Sequence, residues 1–109
     1  MEKEGKIVFA EKKLKSAFED IKEKDKEVYR QIEKAFEEIS RNVFCGRNVK
    51  KNLIPKRFIK KYSINNLWIY NLPQGWRMLY SIATPDKIEI IALVLDWINH
   101  KDYEKLFGF

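Results

Sequence analysis

Asn66-Leu-Trp-Ile-Tyr-Asn-Leu-Pro-Gln-Gly-Trp-Arg-Met-Leu-Tyr80 decides the fold of this 109-residue chain. Two runs rich in aromatic and branched side chains, 66–71 and 76–82, flank Pro73-Gln74-Gly75. Such runs favour extended backbone, where bulky side chains pack on a pleated surface. Glycine takes the left-handed conformation at no Cβ cost, so the tripeptide predicts a three-residue hairpin turn between antiparallel strands. The register of that hairpin decides which side chains meet. If Leu72 pairs with Trp76, Arg77 faces away from Trp68 and Tyr70. A turn longer or shorter by one residue puts all three on one face.

On the C-terminal side, Thr84-Pro85-Asp86 marks another turn, and 88–97 is a nearly continuous apolar strand, expected to be central and covered on at least one face. Asn99 is placed to cap a short helix from His100 to about Phe107, with Asp102 in its first turn and Gly108 as its stop. On the N-terminal side, 6–10 is short and β-branched enough for an opening strand. Leu14, Ala17, Phe18 and Ile21 recur at helical spacing, Lys24-Asp25-Lys26 interrupts, and Val28, Ile32, Ala35, Phe36, Ile39 and Val43 form a second stripe. Gly46 is expected to stop that second helix in the left-handed conformation. Pro55 suits the first turn of a short basic helix through Tyr62. Each amphipathic stripe needs a surface to lie on. The pattern predicts one α+β domain over 1–109: an N-terminal strand and an antiparallel two-helix hairpin packed on a mainly antiparallel four-stranded sheet, with a short C-terminal helix.

Composition narrows the chemistry. The apolar fraction of 45% suits a globular chain. One Cys and one His leave no internal disulfide and no zinc site built from several such ligands. Cys45 has no neighbouring Cys or His and reads as structural. No apolar run approaches the ~20 residues of a membrane span, and the first five residues carry no apolar signal core, so a soluble, cytoplasmic protein without membrane contact is expected. Of the net charge of +6, none comes from residues 1–44, where eleven basic residues meet eleven acidic ones. Residues 45–87 carry nine basic side chains against Asp86 alone, and 88–109 carry two against four acids. Charge segregated in this way is the footprint of a polyanion-binding surface, although a solvated lysine-rich face reads the same in part.

The segment Trp76-Arg77-Met78-Leu79-Tyr80, reached through a glycine turn and followed by an apolar strand and His100-Lys101-Asp102-Tyr103, resembles the RelE/ParE toxin superfamily over about residues 6–109. The order of one strand, two helices and then three strands is similar as well. The resemblance implies a small toxin of a toxin–antitoxin pair with a cognate antitoxin protein as partner. Its RelE-like branch is a ribosome-dependent mRNA endoribonuclease that needs neither metal nor cofactor. Its ParE-like branch inhibits DNA gyrase without being an enzyme. A degenerate, RNA-binding member without activity is a third reading. Metal-free cleavage needs a base for the 2′-OH, a cation for the charge gathering on phosphorus, and an acid for the leaving 5′-oxygen.

Arg77 matches the family's strand arginine, and its planar fork suits two phosphate oxygens; the alternative is a guanidinium stacked on an aromatic ring or paired with a carboxylate. His100 is the one side chain whose ordinary pKa lies near neutrality, and Tyr103 follows it on the same helix face. Arg77, His100 and Tyr103 are the candidate catalytic set. Lys50, Lys51, Lys56, Arg57, Lys60 and Lys61 are candidates for RNA phosphates, and Trp68 and Tyr70 for stacking on bases. In the best-known ribosome-dependent members two lysines stand where this chain has Trp68 and Tyr70, and an additional arginine has no counterpart near Trp97.

Overall fold

The structure, a computed structural model, describes residues 3–85 and 89–108. Asp86 and Ile88, the expected end of one turn and start of the last strand, lie outside the described residues, as does Lys87 of the basic stretch. The fold is α+β. The elements run β1 (Lys6–Phe9), α1 (Lys12–Lys24), α2 (Lys26–Arg41), β2 (Arg47–Asn48), α3 (Lys56–Tyr62), β3 (Trp68–Asn71), β4 (Arg77–Ala83), β5 (Ile91–Ile98) and α4 (His100–Phe107).

The sheet has five strands in the order β1-β5-β4-β3-β2, not four. The additional strand, β2, is only two residues long and pairs Arg47 with Ile69 and Asn48 with Trp68. It is too short to show an alternating pattern, which is why it was not expected. β1 lies parallel to β5, and every other pairing is antiparallel. Flanked by β1 and β4 and covered on both faces, β5 accounts for its unbroken apolar run.

One sheet face carries the helix hairpin. Ile32, Ala35 and Ile39 of α2 pack with Met78, Tyr80, Ala92 and Val94, while α1 has no buried residue and completes the layer through Leu14, Phe18 and Ile21. Phe18 anchors it, stacked on Tyr29 at 4.6 Å and edge-on to Phe36 at 5.1 Å. Asp25 ends α1 and starts α2, accepting a hydrogen bond from the Val28 amide at 3.2 Å. The opposite face carries Phe58 of α3 and Tyr103 of α4, packed with Ile69, Leu79, Leu95 and Ile98.

Gly46 does not stop α2 in the left-handed conformation. The helix ends at Arg41 with Asn42 extended, and Gly46 is not among the residues of positive φ. Its role is close approach instead. A Cβ there would meet Tyr80 Oη at 2.7 Å and the Ile69 carbonyl at 2.8 Å. The Gly46 amide donates to Tyr80 Oη at 3.1 Å, and that hydroxyl donates to the Val43 carbonyl at 2.7 Å. Asn66 precedes β3 rather than opening it. Its side-chain amide bonds both the N–H and the C=O of Ile82 at 2.8 Å, so a side chain supplies the last rung of the ladder.

Candidate functional site

The hairpin turn has the predicted three residues, with Leu72 N–H donating to the Trp76 carbonyl at 2.8 Å. Gln74 and Gly75 both hold positive φ, at 62° and 83°, as a primed hairpin turn requires. The register that follows pairs Asn71 with Arg77, Tyr70 with Met78 and Trp68 with Tyr80. Arg77 therefore points to the α4 face, while Trp68 and Tyr70 point under the helix hairpin.

On the α4 face the guanidinium of Arg77 lies over the Tyr103 ring, 4.7 Å from its centroid. Its Nη1 donates to the Gly75 carbonyl, and its Nε is buried with no hydrogen-bond partner among the described residues. Gly75 is the hinge of this arrangement. A Cβ there would stand 3.2 Å from His100 Cβ and 4.0 Å from Arg77 Nη1, so glycine lets the turn close against the start of α4. Asn99 starts that helix by accepting from the Asp102 amide at 2.8 Å. His100 is the first helical residue, and its Nε2 lies 2.6 Å from Glu104 Oε1 one turn on. Tyr103 is buried, and Arg47 Nη2 donates to its hydroxyl oxygen at 2.8 Å.

Arg77, His100 and Tyr103 thus come together around the turn, with two residues that sequence reasoning did not single out. Arg47 opens the basic stretch but sits on β2, whose pairing the pattern does not display. Glu104 stands four residues after His100, a spacing that puts two helical side chains in contact and was there to be read.

The other candidates lie elsewhere. Trp68 stacks against Tyr80 and lies tilted to Phe44, and the Tyr70 hydroxyl donates to Glu38. Burial, and then the Glu38 carboxylate, push the Tyr70 phenol up. Both rings are half-buried. Lys50, Lys51, Lys56 and Lys60 are exposed. Lys61 is tied to Glu11 at 3.3 Å, and Glu11 also accepts from the Tyr62 hydroxyl at 2.8 Å. Those two partners, Tyr62 first, hold the Glu11 carboxyl below its ordinary value. Arg57 leans over the Phe58 ring, 5.3 Å from its centroid, and lines a hollow with Asp96. Burial raises the Asp96 carboxyl above its ordinary value, against the opposing pull of the Trp97 amide and Arg57.

Comparison of the chain with family models, curated proteins and solved structures finds no match. Among the described residues no three His, Cys, Asp or Glu side chains are grouped to hold a metal ion, and no helix is long and apolar enough to cross a membrane.

Proposed function

We propose that the chain is a RelE-like toxin of a toxin–antitoxin pair, cleaving ribosome-bound mRNA by attack of a ribose 2′-oxygen on the adjacent phosphate. The convergence of Arg77, His100 and Tyr103 around the Gly75 turn is the observation that carries this reading. His100 takes the 2′-OH proton as the oxygen bonds to phosphorus. The bond to the 5′-oxygen then breaks, and proton delivery leaves a 2′,3′-cyclic phosphate and a 5′-hydroxyl. Arg77 faces the charge that builds on the phosphoryl oxygens. Lying over the Tyr103 ring and tethered to the Gly75 carbonyl, it is organised before the substrate arrives. Glu104 orients the His100 imidazole, and Arg47 fixes the position of the Tyr103 hydroxyl, the second proton-transfer group. The exposed lysines 50, 51, 56 and 60 supply phosphate contacts to mRNA or rRNA, and the same cations suit an acidic antitoxin segment.

The test is in vitro translation of a defined mRNA, with cuts mapped by primer extension. Cuts within the A-site codon, reduced about 10²–10³-fold by Arg77→Ala, support the reading. Intact mRNA at a concentration where the protein binds ribosomes overturns it, as does unaltered cleavage by Arg77→Ala and His100→Ala. One observation favours the ParE-like alternative: β3 turns Trp68 and Tyr70 under the helix hairpin and brings no lysine to Arg77. Inhibition of gyrase supercoiling by the purified protein, with mRNA left intact, would establish that alternative.

A further inference from the structure

A groove of about 600 Å³ opens between α3 and α4, on the same sheet face as Arg77. Asp96 and Ile98 of β5 line its sheet side, Lys56 and Arg57 come from α3, and Asp102, Lys105 and Leu106 come from α4. Ile98 is the strand partner of Arg77, so the groove begins one strand away from the guanidinium.

A defect in the sheet turns Asp96 to this face, where it lines this groove and a neighbouring hollow beside Glu11, Lys13 and Lys61. Simple alternation along β5 would turn residue 96 to the side of Ala92 and Val94, beneath the helix hairpin. A register shift at Leu79/Tyr80 inserts one residue, so that Val94 opposes Tyr80 while Asp96 opposes Leu79. Asp96 thereby joins the α4 face, as bulges re-aim side chains elsewhere. Its Oδ1 accepts from the Trp97 amide at 2.9 Å, and it makes no ion pair with a described residue. Arg57 and Lys13 attract this half-buried carboxylate without closing an ion pair on it, so its acceptor capacity stays open at a built bulge, which points to a ligand.

We infer that this groove binds a guanine base of single-stranded RNA, with the Asp96 carboxylate accepting from N1–H and the N2 amino group. Guanine alone presents two adjacent N–H donors on its Watson–Crick edge. Adenine and cytosine set an acceptor nitrogen beside their amino group, and uracil flanks its single N–H with two carbonyls; each would repel one carboxylate oxygen. Arg57 offers a planar cation, and Ile98 and Leu106 an apolar surface, for the faces of the base. Lys56 and Lys105 stand where flanking phosphates would pass, leaving the groove with three cations against two carboxylates. The inference rests on the RNA-cleaving reading for the role of the strand as substrate, and on the groove alone for its choice of base.

Uncleavable 2′-O-methyl hexamers, uridine at five positions and varied at one, separate the two. Fluorescence anisotropy should show the guanine hexamer binding roughly tenfold tighter than the adenine, cytosine and uridine hexamers, within the range of one bidentate base contact. Inosine, which lacks the N2 amino group, should fall between. Asp96→Asn should bring guanine to the level of adenine. In the parent protein, the amide resonances of Ile98 and Leu106 should shift on addition of the guanine hexamer. Equal binding of all hexamers by the parent, or a guanine preference that survives Asp96→Asn, overturns the inference whatever happens to mRNA. Guanine-selective binding without cleavage supports it and removes the nuclease reading instead.

Discussion

Gly75→Ala tests whether the hairpin turn sets the position of His100, and Gly108→Ala is its internal control. Both glycines hold left-handed backbone, at φ of 83° and 76°. That conformation costs an L-residue about 1–2 kcal/mol. Replacing glycine lowers the freedom of the unfolded chain and returns about 0.4–1 kcal/mol. At Gly108 no described atom lies within 4 Å of the added Cβ, so the net cost is about 1 kcal/mol. At Gly75 the added methyl stands 3.2 Å from His100 Cβ. That carbon is fixed to the first turn of α4 and cannot swing aside as a flexible tip does. Either the helix start or the turn must give by a few tenths of an ångström, an overpacking cost of about 1–3 kcal/mol. Gly75→Ala should therefore lose about 2–4 kcal/mol in all. Urea unfolding at unchanged m-value gives both costs. His100 is the only histidine in the chain, so its ring resonances report the displacement without ambiguity. They should move in Gly75→Ala and stay in Gly108→Ala. Equal costs for the two variants, with His100 unmoved in both, would refute the claim that glycine closes the turn against α4.

Tyr80→Phe removes a hydroxyl that donates to Val43 and accepts from Gly46, leaving two backbone groups unpaired, and should cost about 2 kcal/mol by urea unfolding. Asp96→Asn should stabilise the protein at neutral pH. Burial raises the folded-state pKa of this carboxyl, so its ionised form weakens the fold above that pKa, and the penalty vanishes below the ordinary aspartate value, where both states are protonated. Thermal melts of both proteins across pH 3–7 should diverge as pH rises; parallel curves would show the carboxylate to be free of strain. Arg47→Ala should cost about 1 kcal/mol or less in stability. In single-turnover cleavage it should slow the reaction roughly tenfold to hundredfold through a misplaced Tyr103 hydroxyl, with partial rescue by Arg47→Lys. Unchanged cleavage would remove Arg47 from the positioning of that hydroxyl.

The elements were legible wherever a period ran long enough to be counted. The stripe Leu14 to Ile21 emerged as α1 and the stripe from Val28 as α2 up to Arg41, with its last expected member Val43 beyond the helix end. Asp25 emerged as the break between them, and Asn99 and Gly108 as the ends of α4. What was not legible has a common cause, because it depends on contacts between distant segments. β2 is an extended pair of residues that owes its assignment to β3. Gly46 looked like a helix stop because glycine often is one. Its constraint comes from Tyr80, 34 positions away, a partner no local window contains. Asn66 reads as a strand residue, yet its side chain does the pairing. Of the candidate site, Arg77, His100 and Tyr103 were legible as residue types in a familiar pattern, whereas Arg47 required knowledge that β2 exists.

Parity along the hairpin explains why the candidates separated. Side chains alternate strictly across a sheet, so one odd-numbered turn assigns every residue of β3 and β4 to a face at once. The three-residue turn sends Trp68, Tyr70, Met78 and Tyr80 beneath α1 and α2, and Ile69, Leu79 and Arg77 toward α4. An alternation that buries Tyr80 completely cannot also give Trp68 to a nucleotide beside Arg77. The β5 bulge then breaks the parity once, at the end of the strand that faces α3 and α4. Leu95 and Asp96 both stay on the α4 side, and Trp97 returns to the aromatic cluster around Phe18. The effect of restoring strict alternation should therefore depend on which residue of β5 is deleted. Deleting Asp96 would set Leu95 opposite Leu79 and keep Trp97 opposite Met78, exchanging the carboxylate for an apolar side chain in the groove. Deleting Leu95 would leave Asp96 where it is and cost only the core. The position of the bulge, between the core rungs and the rung of Arg77, lets one strand serve both a buried hydrophobic layer and a polar groove.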